Sequence, residues 1–177
     1  MKLKSIILGL SLVTISFTSM AVDGYKGVKF GSNFEDLKAA KICSWKQYAD
    51  NKVKGMDTYY CDNFKFSGLN TIAMAIFMGG SFERFSIVLN DNQDVTALAD
   101  SLMKKYGKPS SSFTQEEFKD FQNNGGSLTV KFDEDTVILG MNRDPGTKAD
   151  SMQLLYSSPS YFEKLKKLQQ KNMEGDL

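Results

Sequence analysis

Two apolar runs that meet at a glycine pair constrain this chain more than any other feature. Ile72-Ala73-Met74-Ala75-Ile76-Phe77-Met78 and Phe82-Glu83-Arg84-Phe85-Ser86-Ile87-Val88-Leu89 are each of strand length, and Gly79-Gly80-Ser81 between them permits positive φ. The combination predicts a β-hairpin. Side chains alternate across a strand, so Phe85, Ile87 and Leu89 share an apolar face while Phe82, Arg84 and Ser86 share a mixed one. A hairpin with one apolar face needs a cover, which points to an antiparallel sheet packed on one side.

The flanking segments extend that pattern. A strand from about Asp57 to Asp62 leads into the hairpin, and the Phe64-Lys65-Phe66 alternation continues it past an irregularity at Asp62-Asn63. Downstream, Leu128, Val130 and Phe132 alternate with polar residues, as do Val137, Leu139 and Met141, with Asp133-Glu134-Asp135 as the exposed turn of a second hairpin. Met152, Leu154 and Tyr156 form a last strand.

Four helices are legible from caps and 3.6-residue periodicity. Ser32 and Glu35 have capping-box spacing before a short helix that buries Phe34 and Leu37. Asp91 and Asp94 are caps for the helix carrying Val95, Leu98, Leu102 and Tyr106, which Gly107 and Pro109 end. Thr114 and Glu117 repeat the capping-box spacing before Phe118 and Phe121. Ser158 and Pro159 open a terminal helix with Tyr161, Leu165 and Leu168 as its buried stripe and its lysines as a solvated face. Strands that follow one another as hairpins imply an α+β fold: an antiparallel β-sheet of about six strands with helices packed on one face.

The first residues bear on place. Lys2 and Lys4 precede an apolar stretch from Ile6 to Phe17, and Ser19-Met20-Ala21 puts small residues at −3 and −1 of a cleavage site. This pattern predicts a signal peptide over residues 1–21, cut after Ala21, leaving residues 22–177 as a single α+β domain. The apolar stretch is too short for a spanning helix, which needs about 20 residues. The expected location is therefore periplasmic or secreted, without a membrane anchor. Of 22 Lys and Arg, two lie in the leader, which holds none of the 21 Asp and Glu, so the remainder carries a net charge of −1. That balance supplies no general attraction to nucleic acid or an anionic membrane.

Cys43 and Cys61 are the two cysteines of the chain. Behind an export signal such a pair is most simply a disulfide. The chain has no histidine, which removes Ser-His-Asp and Cys-His catalysis, the usual zinc sites and the commonest neutral-pH base. No glycine-rich loop precedes a helix, as a phosphate cradle requires. No cofactor or metal is expected.

The motifs Gly27-Val28-Lys29-Phe30-Gly31-Ser32, Phe34-Glu35-Asp36, Lys105-Tyr106-Gly107-Lys108-Pro109 and Leu155-Tyr156-Ser157-Ser158 give the chain a layout that resembles small exported bacterial α+β proteins of unassigned function. It is more distantly similar to the SmpA/OmlA outer-membrane assembly lipoproteins and the β-lactamase-inhibitor proteins, although the acylated N-terminal cysteine of the former has no counterpart here. The resemblance implies a non-catalytic periplasmic module that binds another envelope or secreted protein, as an inhibitor, immunity or envelope-accessory protein. Trp45, Tyr48, Tyr59, Phe82 and Arg84 are the candidate surface anchors, provided that they are exposed, although Trp45, close to Cys43, is more simply read as packing over the disulfide. The competing reading is a small-ligand carrier or histidine-independent enzyme with a pocket between helices and sheet, using Asp62, Arg84 or Arg143 as polar contacts.

Overall fold

The structure, a computed structural model, describes residues 21–49, 53–90 and 94–176. The expected leader (except Ala21), part of the polar loop after Lys46, and Asp91 lie outside the described residues. In chain order the elements are β1 (Gly24–Tyr25), β2 (Val28–Lys29), α1 (Phe34–Ala39), β3 (Lys46–Gln47), β4 (Met56–Phe66), β5 (Leu69–Met78) and β6 (Ser81–Leu89), then α2 (Val95–Tyr106), α3 (Gln115–Asn124), β7 (Gly126–Phe132), β8 (Val137–Arg143), β9 (Asp150–Ser157) and α4 (Tyr161–Asp176). β1 and β2 form a small ribbon, and the other seven strands form one antiparallel sheet in the order β3-β4-β5-β6-β9-β8-β7. The sheet is two meanders that meet at the β6–β9 pair. After β6 the chain crosses through α2 and α3 to the far edge, and returns strand by strand to the centre.

The fold is α+β, as expected, but the sheet has seven strands where the alternation predicts about six. The additional strand is β3, whose two residues pair with Tyr60 and Tyr59 at the edge. Two residues carry no alternation, so neither β3 nor the ribbon has a periodic signature. The central hairpin closes through Gly79 (φ 57°) and Gly80 (φ 82°) between the paired Met78 and Ser81. This is the two-residue turn with two positive φ angles that matches the twist of antiparallel strands.

The core lies on the face that carries Phe85, Ile87 and Leu89 of β6, Leu139 of β8 and Leu154 of β9. Leu37 of α1 and Leu102 of α2 close it, and the ribbon lays Tyr25 on Phe85 with ring centroids 4.1 Å apart. Cys43 and Cys61 are disulfide-bonded, tying the segment after α1 to the middle of β4. Phe82 departs from the strict alternation. Ile76 pairs with Arg84 and the next residue, Phe77, pairs with Phe82, so Glu83 is an extra residue in a β-bulge. The bulge turns Phe82 onto the core face, where it is 0% exposed and meets Phe30 and Phe77.

The helices do not all lie on one face. Arg84 points away from the core, and its guanidinium carbon sits 3.5 Å from the centroid of the Tyr161 ring at the start of α4. From there α4 runs to the turn before β4, where Asn172 donates to the Lys54 carbonyl. Tyr161, Leu165 and Leu168 form its inward stripe, as their spacing predicts. The α1 capping box uses Asn33 and Asp36, one residue later than the Ser32–Glu35 spacing suggests, while Thr114 and Glu117 cap α3 as expected. Asp94 caps α2. Ser158 does not cap α4 through its side chain; its hydroxyl donates to the buried carboxylate of Glu83.

Candidate functional site

Strand β5 has an inverted size pattern that creates an open apolar surface. On the core face it places Ala73 and Ala75, which register with Ile87 and Phe85 of β6 and with Cys61 and Tyr59 of β4. Small residues there leave room for the Tyr25, Phe64 and Trp45 rings that converge on Phe85. The larger side chains, Ile72 and Met74, therefore point to the opposite face. α4 covers one end of that face; the stretch nearer β3 is left as a shallow groove.

The groove encloses about 590 Å³ and is lined by Gln47, Tyr48, Ala49, Tyr60, Ile72, Met74 and Val88. None of these side chains is charged. Tyr48 is 48% exposed and Ile72 44%. Tyr48 follows β3 and its backbone N–H donates to the Thr58 carbonyl at 2.8 Å, which sets its ring edge-on to Tyr60, 6.3 Å between centroids. At the rim, Lys46 donates to Asp62 at 2.8 Å and lies 5.9 Å from the Tyr60 centroid. The hydrogen bond from Lys46 holds the Asp62 carboxyl below the usual carboxylate range, and the same bond pushes the Lys46 amine up.

The candidate anchors read from the sequence do not come together. Tyr48 lies in the groove. Trp45 is edge-on to Phe85 in the core, and Tyr59 stacks on Phe34 at 3.7 Å on the core side. Phe82 is buried because of the Glu83 bulge, which corrects its expected place on the mixed face. Arg84 shares the groove's face but lies under α4, where Nε donates to Ser157 Oγ at 2.8 Å and burial pulls the guanidinium below its ordinary value. The polar contacts of the competing reading are likewise scattered. Asp62 pairs with Lys46 at the groove rim, whereas Arg143 pairs with Asp150 at 2.6 Å and covers the Phe121 ring near α3. Ile72 and Met74 escaped the sequence reading of the surface, although their alternation with two alanines was the available signal.

A second cavity of about 480 Å³ separates α2 from the core face, with Phe66, Leu69, Leu98, Leu102, Leu154 and Tyr156 as its apolar walls. Among the described residues no group of three or more His, Cys, Asp or Glu side chains is placed to hold a metal ion, and no helix is long and apolar enough to cross a membrane.

The sequence profile of a family described as "Uncharacterised protein" matches residues 25–176, from the ribbon to the end of α4. The chain belongs to this family. It is 31% identical over 169 residues to an uncharacterized protein of Haemophilus influenzae, covering 93% of each chain. It is also similar to an uncharacterized protein of Pasteurella multocida, at 26% identity over 180 residues, 92% of this chain and 91% of that one. The family profile spans every element that forms the groove. No solved structure matches the fold significantly.

Proposed function

We propose that the chain is an exported, non-catalytic binding module that docks a neutral, apolar segment of another envelope or secreted protein into the groove beside β3. The observation that carries this reading is the contiguous apolar lining of Tyr48, Tyr60, Ile72, Met74 and Val88, with no charged side chain in it. Large exposed apolar residues gathered on an uncovered sheet face are typical of interaction surfaces. An uncharged lining favours an aliphatic or aromatic anchor, because a charged one would be desolvated without a partner. Export is supported by the leader-like start and by a disulfide suited to an oxidising compartment. The resemblance to the assembly lipoproteins and to β-lactamase-inhibitor proteins, which act by binding proteins, points the same way.

The test places a photo-crosslinking amino acid at Ile72 and, as a control, at Lys167 on the solvated face of α4, in cells that export the protein. A discrete product at Ile72 alone is expected. The captured protein, once purified, should bind the unmodified chain and lose at least tenfold in affinity to Ile72→Glu. Equal binding by Ile72→Glu, or identical products at both positions, would refute the groove as the docking surface. The alternative of a small apolar ligand is favoured by the cavity under α2, whose volume lies in the range of ligand sites. Thermal stabilisation by a fatty acid or detergent monomer that is abolished by Leu98→Trp would favour it over the groove.

A further inference from the structure

The backbone N of Val22 donates to Oδ2 of Asp133 at 2.6 Å, joining the first residues before the ribbon to the β7–β8 turn 111 positions away. Asp133 is a buried residue at φ 52°, and the same Oδ2 accepts from Thr136 Oγ1 at 3.0 Å. The side chain of Val22 packs against the core, and the neighbouring Asp23 carbonyl accepts from Phe30 N, which closes the ribbon. The bond just before this nitrogen, Ala21–Val22, is also the one at which Ser19-Met20-Ala21 predicts cleavage.

We infer that removal of the leader creates a structural ion pair: the α-ammonium of Val22 against the carboxylate of Asp133, clasping the N-terminal ribbon onto the sheet. The inference rests on the export reading above. In the cleavage step a signal peptidase adds water across the Ala21–Val22 amide. The C–N bond breaks, the water oxygen stays with Ala21, which leaves as a carboxylate on the leader, and the Val22 nitrogen takes up both protons of the water to become an ammonium. A neutral amide that already donates to a buried carboxylate thus becomes a full positive charge at the same place, and an interaction of opposite charges at this distance out of bulk water is stronger than the neutral bond it replaces. The ammonium has two further N–H donors, and the cavity bounded by Val22, Lys26, Lys105, Tyr106 and Tyr156 gives them access to water. Lys26 and Lys105 are the cations on that cavity, while Asp23 and Asp133 oppose them, so the new charge enters a mixed field. An additional residue before Val22 keeps the nitrogen an amide and carries the ammonium past Asp133.

The experiment has two stages. The N-terminus of the exported protein is read by mass spectrometry; Val22 is expected. The mature chain, the same chain with Ala21 retained, and mature Asp133→Asn are then compared by the pKa of the α-amine, measured by NMR or from the pH dependence of acetylation, and by Tm. In the mature chain the amine should titrate above about 9 instead of at the ordinary 7.7–8.0, and acetylate at least about fivefold more slowly at pH 8. Asp133→Asn should return both to ordinary values, and the chain with Ala21 should melt several degrees lower with an ordinary amine. A Val22 amine that titrates normally, with equal Tm for the chains with and without Ala21, would overturn the clasp and leave export standing. An unprocessed chain, or a different first residue, would overturn the cleavage on which it depends. If Asp133→Asn does not fold, the comparison with the Ala21-retaining chain decides alone.

Discussion

The bulge at Glu83 sets up an asymmetric ion pair whose two halves should fail by different amounts. The Glu83 side chain is fully buried; it accepts from Ser158 Oγ and, at 2.6 Å, from Lys164 Nζ, whose own side chain is 46% exposed. Lys164→Met therefore strands a carboxylate in the interior with one hydroxyl for company. Loss of the partner of a buried charge costs about 3–5 kcal/mol, and because water can reach the vacated side, the lower end, about 3 kcal/mol, is expected. Glu83→Gln instead leaves an ammonium that water resolvates, and the amide still accepts from Ser158. Its cost is the difference between charge-assisted and neutral hydrogen bonds, about 1–2 kcal/mol. Urea unfolding followed by the single tryptophan, Trp45, with the disulfide intact, measures both at constant m. The double variant should lose less than the two singles together, with a coupling of about 1 kcal/mol or more. Equal losses, or a larger loss in Glu83→Gln, would refute the claim that burial of the carboxylate dominates this pair.

Three further outcomes follow from the geometry. Replacing Cys43 and Cys61 by alanine opens a crosslink that spans 18 positions, and the chain-entropy relation assigns it about 3 kcal/mol, to be read as a fall in the urea midpoint. Burial pushes the Tyr25 hydroxyl up to about 12 and raises Tyr156 further, so their protonated forms are favoured by folding; the stability they contribute is complete below pH ~10 and is lost as pH rises towards 12, which tyrosinate absorbance and far-UV dichroism titrated in parallel would detect. Gly125→Ala places a Cβ 2.7 Å from the Arg143 carbonyl at φ +80°, ψ −166°, a region that only glycine occupies readily, and should cost more than about 3 kcal/mol in the same urea assay, whereas Gly146→Ala, at a glycine that does not itself have a positive φ, should cost less than about 1 kcal/mol.

Much of the architecture was legible because it repeats locally. The alternation of Phe85, Ile87 and Leu89 and the Gly79-Gly80 turn identify the central hairpin, and Val95, Leu98 and Leu102 identify α2 without reference to any neighbour. The errors arose where one residue changes the phase. Glu83 adds a residue to β6 and carries Phe82 to the core, and Asn33–Asp36 competes with Ser32–Glu35 for the start of α1 because both pairs have the same spacing and similar chemistry. Asp133 illustrates a third kind of failure. Three consecutive acids read as an exposed turn, yet the left-handed backbone of Asp133 folds its carboxylate inward to Thr136 and Val22.

The sequence by itself determined the class of fold, the strands and helices with strong periodicity, and the pairing of two cysteines, since each depends on residues a few positions apart or on there being no other partner. Only the tertiary structure decided which face α4 covers, which part of the sheet stays open, and that Tyr48 joins Ile72 and Met74 while Trp45, Tyr59 and Phe82 turn to the core. Those outcomes depend on strand register and on the volumes of facing side chains, Ala73 and Ala75 against the rings around Phe85, and such long-range complementarity has no expression in any single stretch of chain.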